Sequence, residues 1–577
     1  MKKKYKLITY FKKFNYKKNR NIIFFNEFLE TLYSNSFLKE INSVSAISLK
    51  NQNKKKIGFF FLNKKLIIYR KFLSLKLNKF HKIKRDQKYW GLIVDFYLMF
   101  LILVVKINFD YYKIIKKKYK SFSYKKEIFR EYYFNNSGKL VDYIVGNNLF
   151  LGYIRDKIIT AQHKENLKNI KKKPLSVRDI SKDNFYSIYK KKIFNKILCF
   201  YIKFVNPVTL INCYFGKKNS FKLFIKSFGK ILCVPSNYFF NYDLSFKKKD
   251  YKARKKIMSD FKIKDQFDQI IKQIIIDTMP SSFVEDYKKL LDKNRNFFKI
   301  KKIGSAFDLY ENDEFKILAA EIVNKGGKLF AYKHGGISEK EIVNPLETIN
   351  NIYTHKTYEW SNPKGLGENH LSKFKKMNLE KFKKNKQILF FCSNASFNER
   401  YAPVIKYSNH PRLNVFYDFF YRIKSKYKEN CKIRLFPNKR AKQLESVWKE
   451  KYGKKFSISK ENKEKSIYNS KIIILDDIST PLYEFLKIGV PFIIIIKDSY
   501  QNFKPNFRNE LEKLEKIGLI HKSAQSGANF LNNNFENLHD WWKKIVKNKN
   551  FNQFKNNLFS SNINFLENIK KELLYDL

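Results

Sequence analysis

Cysteine is scarce, with five in 577 residues, and Cys199, Cys213, Cys233, Cys392 and Cys431 fall at no disulfide-framework or metal-ligand spacing. They read as reduced, buried thiols of a cytosolic protein. Glycine (18) and proline (12) are also few, and no internal repeat or low-complexity linker interrupts the chain. No P-loop, GxGxxG, zinc spacing or GxSxG elbow occurs, which removes the common nucleotide-binding and hydrolase classes. Met1 to Arg20 is Lys-rich but has neither a continuous apolar core nor a small-residue cleavage site. A cytoplasmic location is the expectation.

Acidic residues are in short supply, 52 against 118 Lys and Arg, for a net charge of +66. Such a balance attracts nucleic acid or an anionic membrane. Lys, Asn, Ile, Phe and Tyr are enriched together, however, as an A/T-rich genome dictates, so the charge reads first as solvated surface. With 44% hydrophobic residues the chain suffices for two or three cored domains. One long apolar run stands out, Gly91 to Val105, broken only by Asp95. As a helix it would reach about 22 Å, short of the ~30 Å hydrocarbon layer, so it reads as a buried helix or a shallow membrane-docking one.

Up to about Asp250 the pattern is weak; Ile57 to Phe61, Leu149 to Ile154 and Leu223 to Val234 are candidate strands. From Gln269 an alternation emerges. A β-branched run, Gln269 to Asp277, reads as a strand ending at Met279-Pro280, followed by helical spacing over Val284 to Leu291. A strand near Ile303, a helix from Asp313 to Lys325 and a strand from Lys328 to Lys333 continue it. After a polar stretch it resumes with strands at Gln387 to Cys392, Cys431 to Phe436, Lys471 to Leu475 and Pro491 to Ile496. Helices at Asn414 to Lys426, Lys439 to Lys451 and Pro481 to Lys487 lie between them. This rhythm predicts α/β architecture with two Rossmann-like, doubly wound domains facing a cleft. The expected boundaries are 1–364 for the first domain, 365–545 for the second, and 546–577 for a helical tail packing back on the first.

Ligands of open parallel sheets bind beyond the carboxyl ends of the strands. Two loops there carry chemistry. His334-Gly335-Gly336 offers an imidazole suited to base work and two glycines that admit close backbone approach; it is equally readable as a turn with a surface His. Asp476 to Pro481 places Thr480 as N-cap and Pro481 at the first helical position. Its exposed amides and the Ser479 and Thr480 hydroxyls make a phosphate site, or a helix cap and nothing more. Glu484, one turn in, would reach a ribose or sugar hydroxyl. Arg434 ends a strand and is either a phosphate ligand or a solvated strand residue. Asp476 and Asp477 are adjacent on an extended chain and point opposite ways, so no metal is assigned, and no cofactor.

Taken in order, a set of short motifs resembles the transferases encoded in O-antigen biosynthesis gene regions. It runs from Lys88-Tyr89-Trp90-Gly91 through Met279-Pro280 with Glu285-Asp286-Tyr287, Asn312-Asp313-Glu314-Phe315-Lys316, Ala319-Ala320-Glu321 and Gly326-Gly327-Lys328-Leu329. It continues with His334-Gly335-Gly336, Glu347, Tyr358-Glu359-Trp360, Arg434-Leu435-Phe436-Pro437, Ser479-Thr480 and Glu484-Phe485-Leu486. The resemblance spans about residues 85 to 500. It implies a GT-B-like glycosyltransferase, with a nucleotide sugar as donor and a glycan or lipid-linked acceptor, working in the cytoplasm or peripherally at the inner face of the membrane. Three departures put a shared acceptor in doubt: Lys333 where the family has Gln, Ile337-Ser338 for Tyr-Gly, and Tyr358-Glu359 for Trp-Gly.

The expected roles follow. His334 is the base for the acceptor hydroxyl, with Gly335, Gly336 and Glu347 lining the cleft, and Arg434, Ser479, Thr480 and Glu484 hold the donor without a metal ion. Two alternatives stand beside this reading: a polyol-phosphate or glycerophosphate transferase, and a basic nucleic-acid-binding protein.

Overall fold

The computed structural model describes residues 5–8, 21–25, 42–45, 59–119, 122–124, 132–162, 175–177, 185–240, 249–333, 335, 340, 344–359, 371, 374–392, 409–435, 457–496, 500, 503–558 and 565–575. Among these every strand pair is parallel. Strands β1 (Tyr5–Ile8), β2 (Asn21–Phe24), β3 (Asn42–Ser45) and β4 (Phe122–Ser123) form one sheet; β5 (Tyr132–Phe134) and β6 (Leu175–Val177) form a small pair.

Two larger sheets set the architecture. The first contains β7 (Val208–Ile211), β8 (Ile231–Val234), β9 (Lys302–Ser305), β10 (Lys328–Tyr332) and β11 (Lys356–Tyr358), side by side as β8-β7-β9-β10-β11. The second contains β12 (Gln387–Phe391), β13 (Cys431–Arg434), β14 (Ser457–Ile458), β15 (Ser470–Leu475), β16 (Phe492–Ile495) and β17 (Ile520–His521), ordered β14-β13-β12-β15-β16-β17. In each sheet the order reverses once, between β7 and β9 and between β12 and β15. A reversal of this kind opens a crevice at the carboxyl ends of the two strands.

Helices cover both faces of the second sheet. Ile388, Phe390, Ile472 and Ile474 point into one apolar cluster while Leu389, Phe391, Ile473 and Leu475 point into another, the period-two alternation of a strand buried on both sides. The chain is therefore an α/β protein with two Rossmann-like, doubly wound domains. Helix Lys549–Leu558 buries Phe551, Phe554 and Leu558 in the second domain's core. Helix Phe565–Tyr575 crosses to the first, where Ile569 and Leu573 pack on Val208 and Leu210 and Lys302 Nζ donates to the Leu573 carbonyl at 2.7 Å.

Several elements differ from the sequence-based expectation. Gln269 to Asp277 is not a strand but the body of helix Gln266–Thr278, capped by Asp265, whose side chain accepts from Asp268 N at 2.7 Å. Ile270, Ile271, Ile274 and Ile275 are all buried, and burying an isoleucine is worth roughly 1.5–3 kcal/mol against a helix-propensity deficit under about 0.7 kcal/mol per residue. Packing decides. Of the candidate Ile57 to Phe61, the described residues Phe59 to Phe61 open helix Phe59–His81; Leu149 to Ile154 lies in helix Asn148–Gln162, and only Ile231–Val234 of the third candidate is a strand. The expected helix Lys439 to Lys451 lies outside the described residues.

The apolar run Gly91 to Val105 sits inside a 32-residue helix, Gln87–Lys118, longer than expected and long and apolar enough to cross a bilayer. It is instead the spine of the first domain, with every residue from Tyr89 to Val105 buried. Asp95, 1% exposed, is held by Arg70, with Nη2 at 2.8 Å and Nε at 3.0 Å, and by the Tyr353 hydroxyl. Gly91 lies one turn earlier, where a Cβ would collide with that hydroxyl.

Burial raises the Asp95 carboxyl to about 6, with Arg70 and Tyr353 pulling the other way. Its unfolded value is near 4, so the folded state binds the extra proton between these limits. The stability that Asp95 contributes is then complete below about pH 4 and is lost as pH rises through 6. We expect the stability of the wild type relative to Asp95→Asn to fall by about 2–3 kcal/mol between pH 4 and pH 7. Urea unfolding across that range checks it; a flat difference would refute it.

Candidate functional site

The site is built from the two loops beyond β10 and β15, one from each domain. Ile472 to Leu475 are buried, and the chain leaves β15 through Asp476, also buried, and Asp477, whose carboxylate accepts from Ile478 N at 2.9 Å. Helix Thr480–Ile488 follows, with Pro481 in its first turn and Gly489 in the left-handed conformation at its end.

The cap is shifted by one residue from the sequence expectation. Ser479, in extended geometry, is the N-cap, and Thr480 is the first helical residue. No cap hydrogen bond comes from the Ser479 side chain. The first-turn amides are thus left without the side-chain acceptor that usually satisfies them, and neither the Ser479 nor the Thr480 hydroxyl has a hydrogen bond among the described residues. The helix start is the positive end of a macrodipole; Pro481 has no N–H and Leu482 N donates to the Ser479 carbonyl at 2.9 Å, so the donors it presents are the Thr480 amide and the two hydroxyls.

Across from it comes the loop after β10. His334 and Gly336 lie outside the described residues, but Gly335 is placed: a Cβ added to it would come 3.1 Å from Thr480 Oγ1. Residues 145 positions apart in sequence are thus brought into contact, and the same junction has Lys504 N donating to the Lys340 carbonyl at 2.8 Å. The loop expected to carry the base and the helix start expected to carry the phosphate face each other.

Glu347 lies in the first turn of helix Pro345–Tyr353 and binds Lys333 Nζ at 2.9 Å. Lys333, its side chain only 4% exposed, also meets Glu359 at 3.4 Å. Lys333 and Glu359, two positions at which the sequence departs from the pattern it resembles, therefore contact each other, a buried ammonium and one of its counter-charges.

Arg434 ends β13 and is half-buried, and its Nη1 donates to the Glu461 carbonyl at 2.7 Å and to Ser466 Oγ at 3.2 Å. Burial lowers its pKa, with Glu461 opposing. Nε and Nη2 have no hydrogen bond among the described residues. Glu484 is fully buried, and its carboxylate receives Lys463 Nζ at 2.6 Å. Lys463 was not singled out by sequence; it lies 21 residues away on helix Lys463–Tyr468, and only the fold brings it to Glu484. Among the described residues no three or more of His, Cys, Asp and Glu gather as a metal-ligand set.

Much of the motif set proves to be framework. Glu285 pairs bidentately with buried Arg254, and Glu321 with Arg85. Asn312 caps its helix, while Asp313 binds Ser137, Ser282 and Lys316 in the interior. Tyr89 and Tyr287 share a hydroxyl contact of 2.5 Å, and Trp90 Nε1 donates to Asn78 at 2.8 Å.

Fold and site define a two-domain, doubly wound α/β protein with an anion-ready helix start opposing a glycine-rich loop. The chain belongs to the LIC12162 family of transferases, which it matches over residues 6–573. No curated protein matches it. Among solved structures, an enzyme assigned as UDP-N-acetylglucosamine 2-epimerase from Listeria monocytogenes aligns at 9% identity and a TM-score of 0.35, covering 64% of this chain and 98% of that one. S. aureus MnaA in a structure with UDP aligns at 10% identity and 0.33, covering 64% and 96%. Likenesses this distant say nothing of activity, and the fold assignment rests on the two parallel sheets.

The contact between Lys333 and Glu359 predicts coupling. Glu359→Gly should cost less in a Lys333→Gln background than in the wild type, by about 0.5–1 kcal/mol, since Glu359 is half exposed. A double-mutant cycle by chemical unfolding measures it; additive losses would show that the two residues act independently.

Proposed function

We propose that this transferase is a glycosyltransferase of surface-polysaccharide synthesis, moving a sugar from a nucleotide-activated donor to a glycan or lipid-linked acceptor. The observation that carries the reading is the approach of Gly335 to Thr480. It sets a base-bearing loop of one domain against an uncapped helix start of the other, at the strand-order reversal of a Rossmann-like sheet. The surface-polysaccharide context comes from the resemblance to O-antigen region transferases.

In this reading the acceptor hydroxyl loses its proton to His334 as its oxygen bonds to the anomeric carbon, and the bond from that carbon to the donor's phosphate oxygen breaks. The electron pair leaves on the nucleotide diphosphate. Its growing negative charge is met by the Thr480 amide at the positive end of helix Thr480–Ile488, by the Ser479 and Thr480 hydroxyls and by Arg434. Preoriented donors of this kind do the work that a divalent cation does elsewhere, so transfer is expected to be independent of added metal. Glu484 is placed less directly: with its carboxylate on Lys463, it fixes the first turn rather than reaching outward.

The helix start separates binding from folding. An N-cap that makes its side-chain bond is worth about 0.5–2 kcal/mol, but Ser479 makes none. Ser479→Ala with Thr480→Ala should therefore leave the melting temperature nearly unchanged. Donor binding should weaken by about 1.5–3 kcal/mol for each charge-assisted hydrogen bond lost. Thermal-shift titration with a panel of nucleotide sugars measures both. Unchanged affinity in the double variant would sink the donor-site assignment, and transfer seen only with added manganese would sink the metal-free mechanism.

A further inference from the structure

Outside the two cleft loops, the surface between residues 185 and 240 concentrates apolar side chains that the fold does not cover. Helix Phe185–Val205 shows solvent an apolar stripe of Ile197, Phe200 and Phe204, spaced three and four residues apart. That spacing normally faces a core. The next helix, Gly216–Lys226, adds Phe221 and Ile225 to the exposed surface. The two helices are joined by Tyr201, whose ring lies 6.0 Å from Phe224 and whose hydroxyl donates to the Gly229 carbonyl at 2.6 Å.

At the tip, Phe228 is 90% exposed and holds a φ of 51°. A bulky side chain in the left-handed region costs on the order of 1 kcal/mol, and here no packing within the fold offsets it. Charge supplies the second observation. From residue 185 to 240 the sequence has ten lysines and no Asp, Glu or Arg. Lys196, Lys203, Lys217, Lys218, Lys222 and Lys230 are exposed beside the apolar residues.

We propose that this face docks the protein on an anionic phospholipid bilayer, with the phenylalanines and isoleucines entering the headgroup boundary and the lysines meeting lipid phosphates. Aliphatic side chains mixed with aromatics and flanked by lysines, with Glu567 on Lys226 as an acidic neighbour from helix Phe565–Tyr575, suit a bilayer: the apolar atoms gain burial and the long ammonium stems reach the headgroups. Nucleic acid fits less well, because isoleucine offers no stacking surface and no guanidinium is present to read base edges. The spine helix, although apolar enough, is already enclosed by protein. Membrane contact thus falls to a different segment from the one its hydropathy nominates.

The test is flotation of the full-length protein with vesicles of equal parts phosphatidylglycerol and phosphatidylcholine, against phosphatidylcholine alone. Binding to the anionic vesicles is expected, falling about fivefold for each of Lys217→Gln, Lys218→Gln and Lys222→Gln. It should fall on the order of tenfold for each of Phe200→Ser, Phe204→Ser and Phe228→Ser. A control set with the same charge loss on the second domain, Lys375→Gln, Lys376→Gln and Lys465→Gln, should bind as the wild type does. Vesicle binding needs no sugar substrate, so its outcome is independent of the transferase reading. The proposal is overturned if the serine variants bind vesicles undiminished or if the control set loses as much as the lysine set. A drop of many degrees in melting temperature in the serine variants would also overturn it, by showing that the chain itself covers these residues. So would a phenylalanine-dependent dimer, or a phenylalanine-dependent gel shift with nucleic acid in place of vesicle binding.

Discussion

A single buried carboxylate orders the first domain. Helix Gln87–Lys118 is apolar on every side, and such a helix has no rotational preference until something polar fixes it. Asp95 does so, because a charge taken out of water must be paired. Its partners, Arg70 and Tyr353, come from helices on opposite sides in the sequence. Tyr353 is the last residue of the helix whose first turn carries Glu347. Glu347 holds Lys333, Lys333 is bonded to the loop that contains Gly335, and Gly335 approaches Thr480. A continuous line of contacts therefore runs from the interior of one domain to the helix start of the other. Gly91 belongs to it, since a side chain there would push Tyr353 away from Asp95.

The two sides of the junction are built on opposite electrostatic logic. On the Thr480 side, the Ser479 and Thr480 hydroxyls and the Thr480 amide have no acceptor among the described residues, which invites an anion. On the Lys333 side a buried cation is matched by two carboxylates of greater exposure. Under the proposed transfer this difference suits an anionic leaving group and a polyhydroxylated acceptor, because only the first gains charge. The coupled presence of Lys333 and Glu359 keeps that side near neutrality while changing its shape.

Much of the second domain was legible in the sequence because β12, β15 and β16 are short, mostly buried and punctuated, whereas the two-residue strands β14 and β17 were not read. Lys471 to Leu475 and Pro491 to Ile496 are apolar runs bounded by polar loops, and Pro481 and Gly489 mark both ends of the helix between them. The first half was not, for a physical reason: when Ile, Phe and Tyr also serve on exposed and all-round buried positions, the contrast that reveals a period disappears. Gln269 to Asp277 shows the failure, since β-branched content suggested a strand while burial at helical spacing decided otherwise. At the site, sequence found both loops but mislocated the cap by one residue. It saw Lys333 and Glu359 only as two separate departures, because a contact across 26 residues leaves no trace in spacing. Lys463 escaped for the same reason.

The contacts that bind the two domains to each other are few and mostly polar among the described residues. They comprise Gly335 against Thr480, the Lys340 to Lys504 backbone bond with the Lys340 ammonium over the Phe507 ring at 6.0 Å, and the crossing helix Phe565–Tyr575. Interfaces of this kind permit relative motion of the domains they join. The crossing helix is the exception, as Ile569 and Leu573 enter the first domain's core and Lys226, Lys302 and Lys356 tie it at three points. This helix is thus anchored to one domain while the preceding helix, Lys549–Leu558, is rooted in the other. Relative motion of the domains would alter the gap between the Gly335 loop and the Thr480 helix start. Firm anchoring at the edge and light contact at the centre is what such a movement requires.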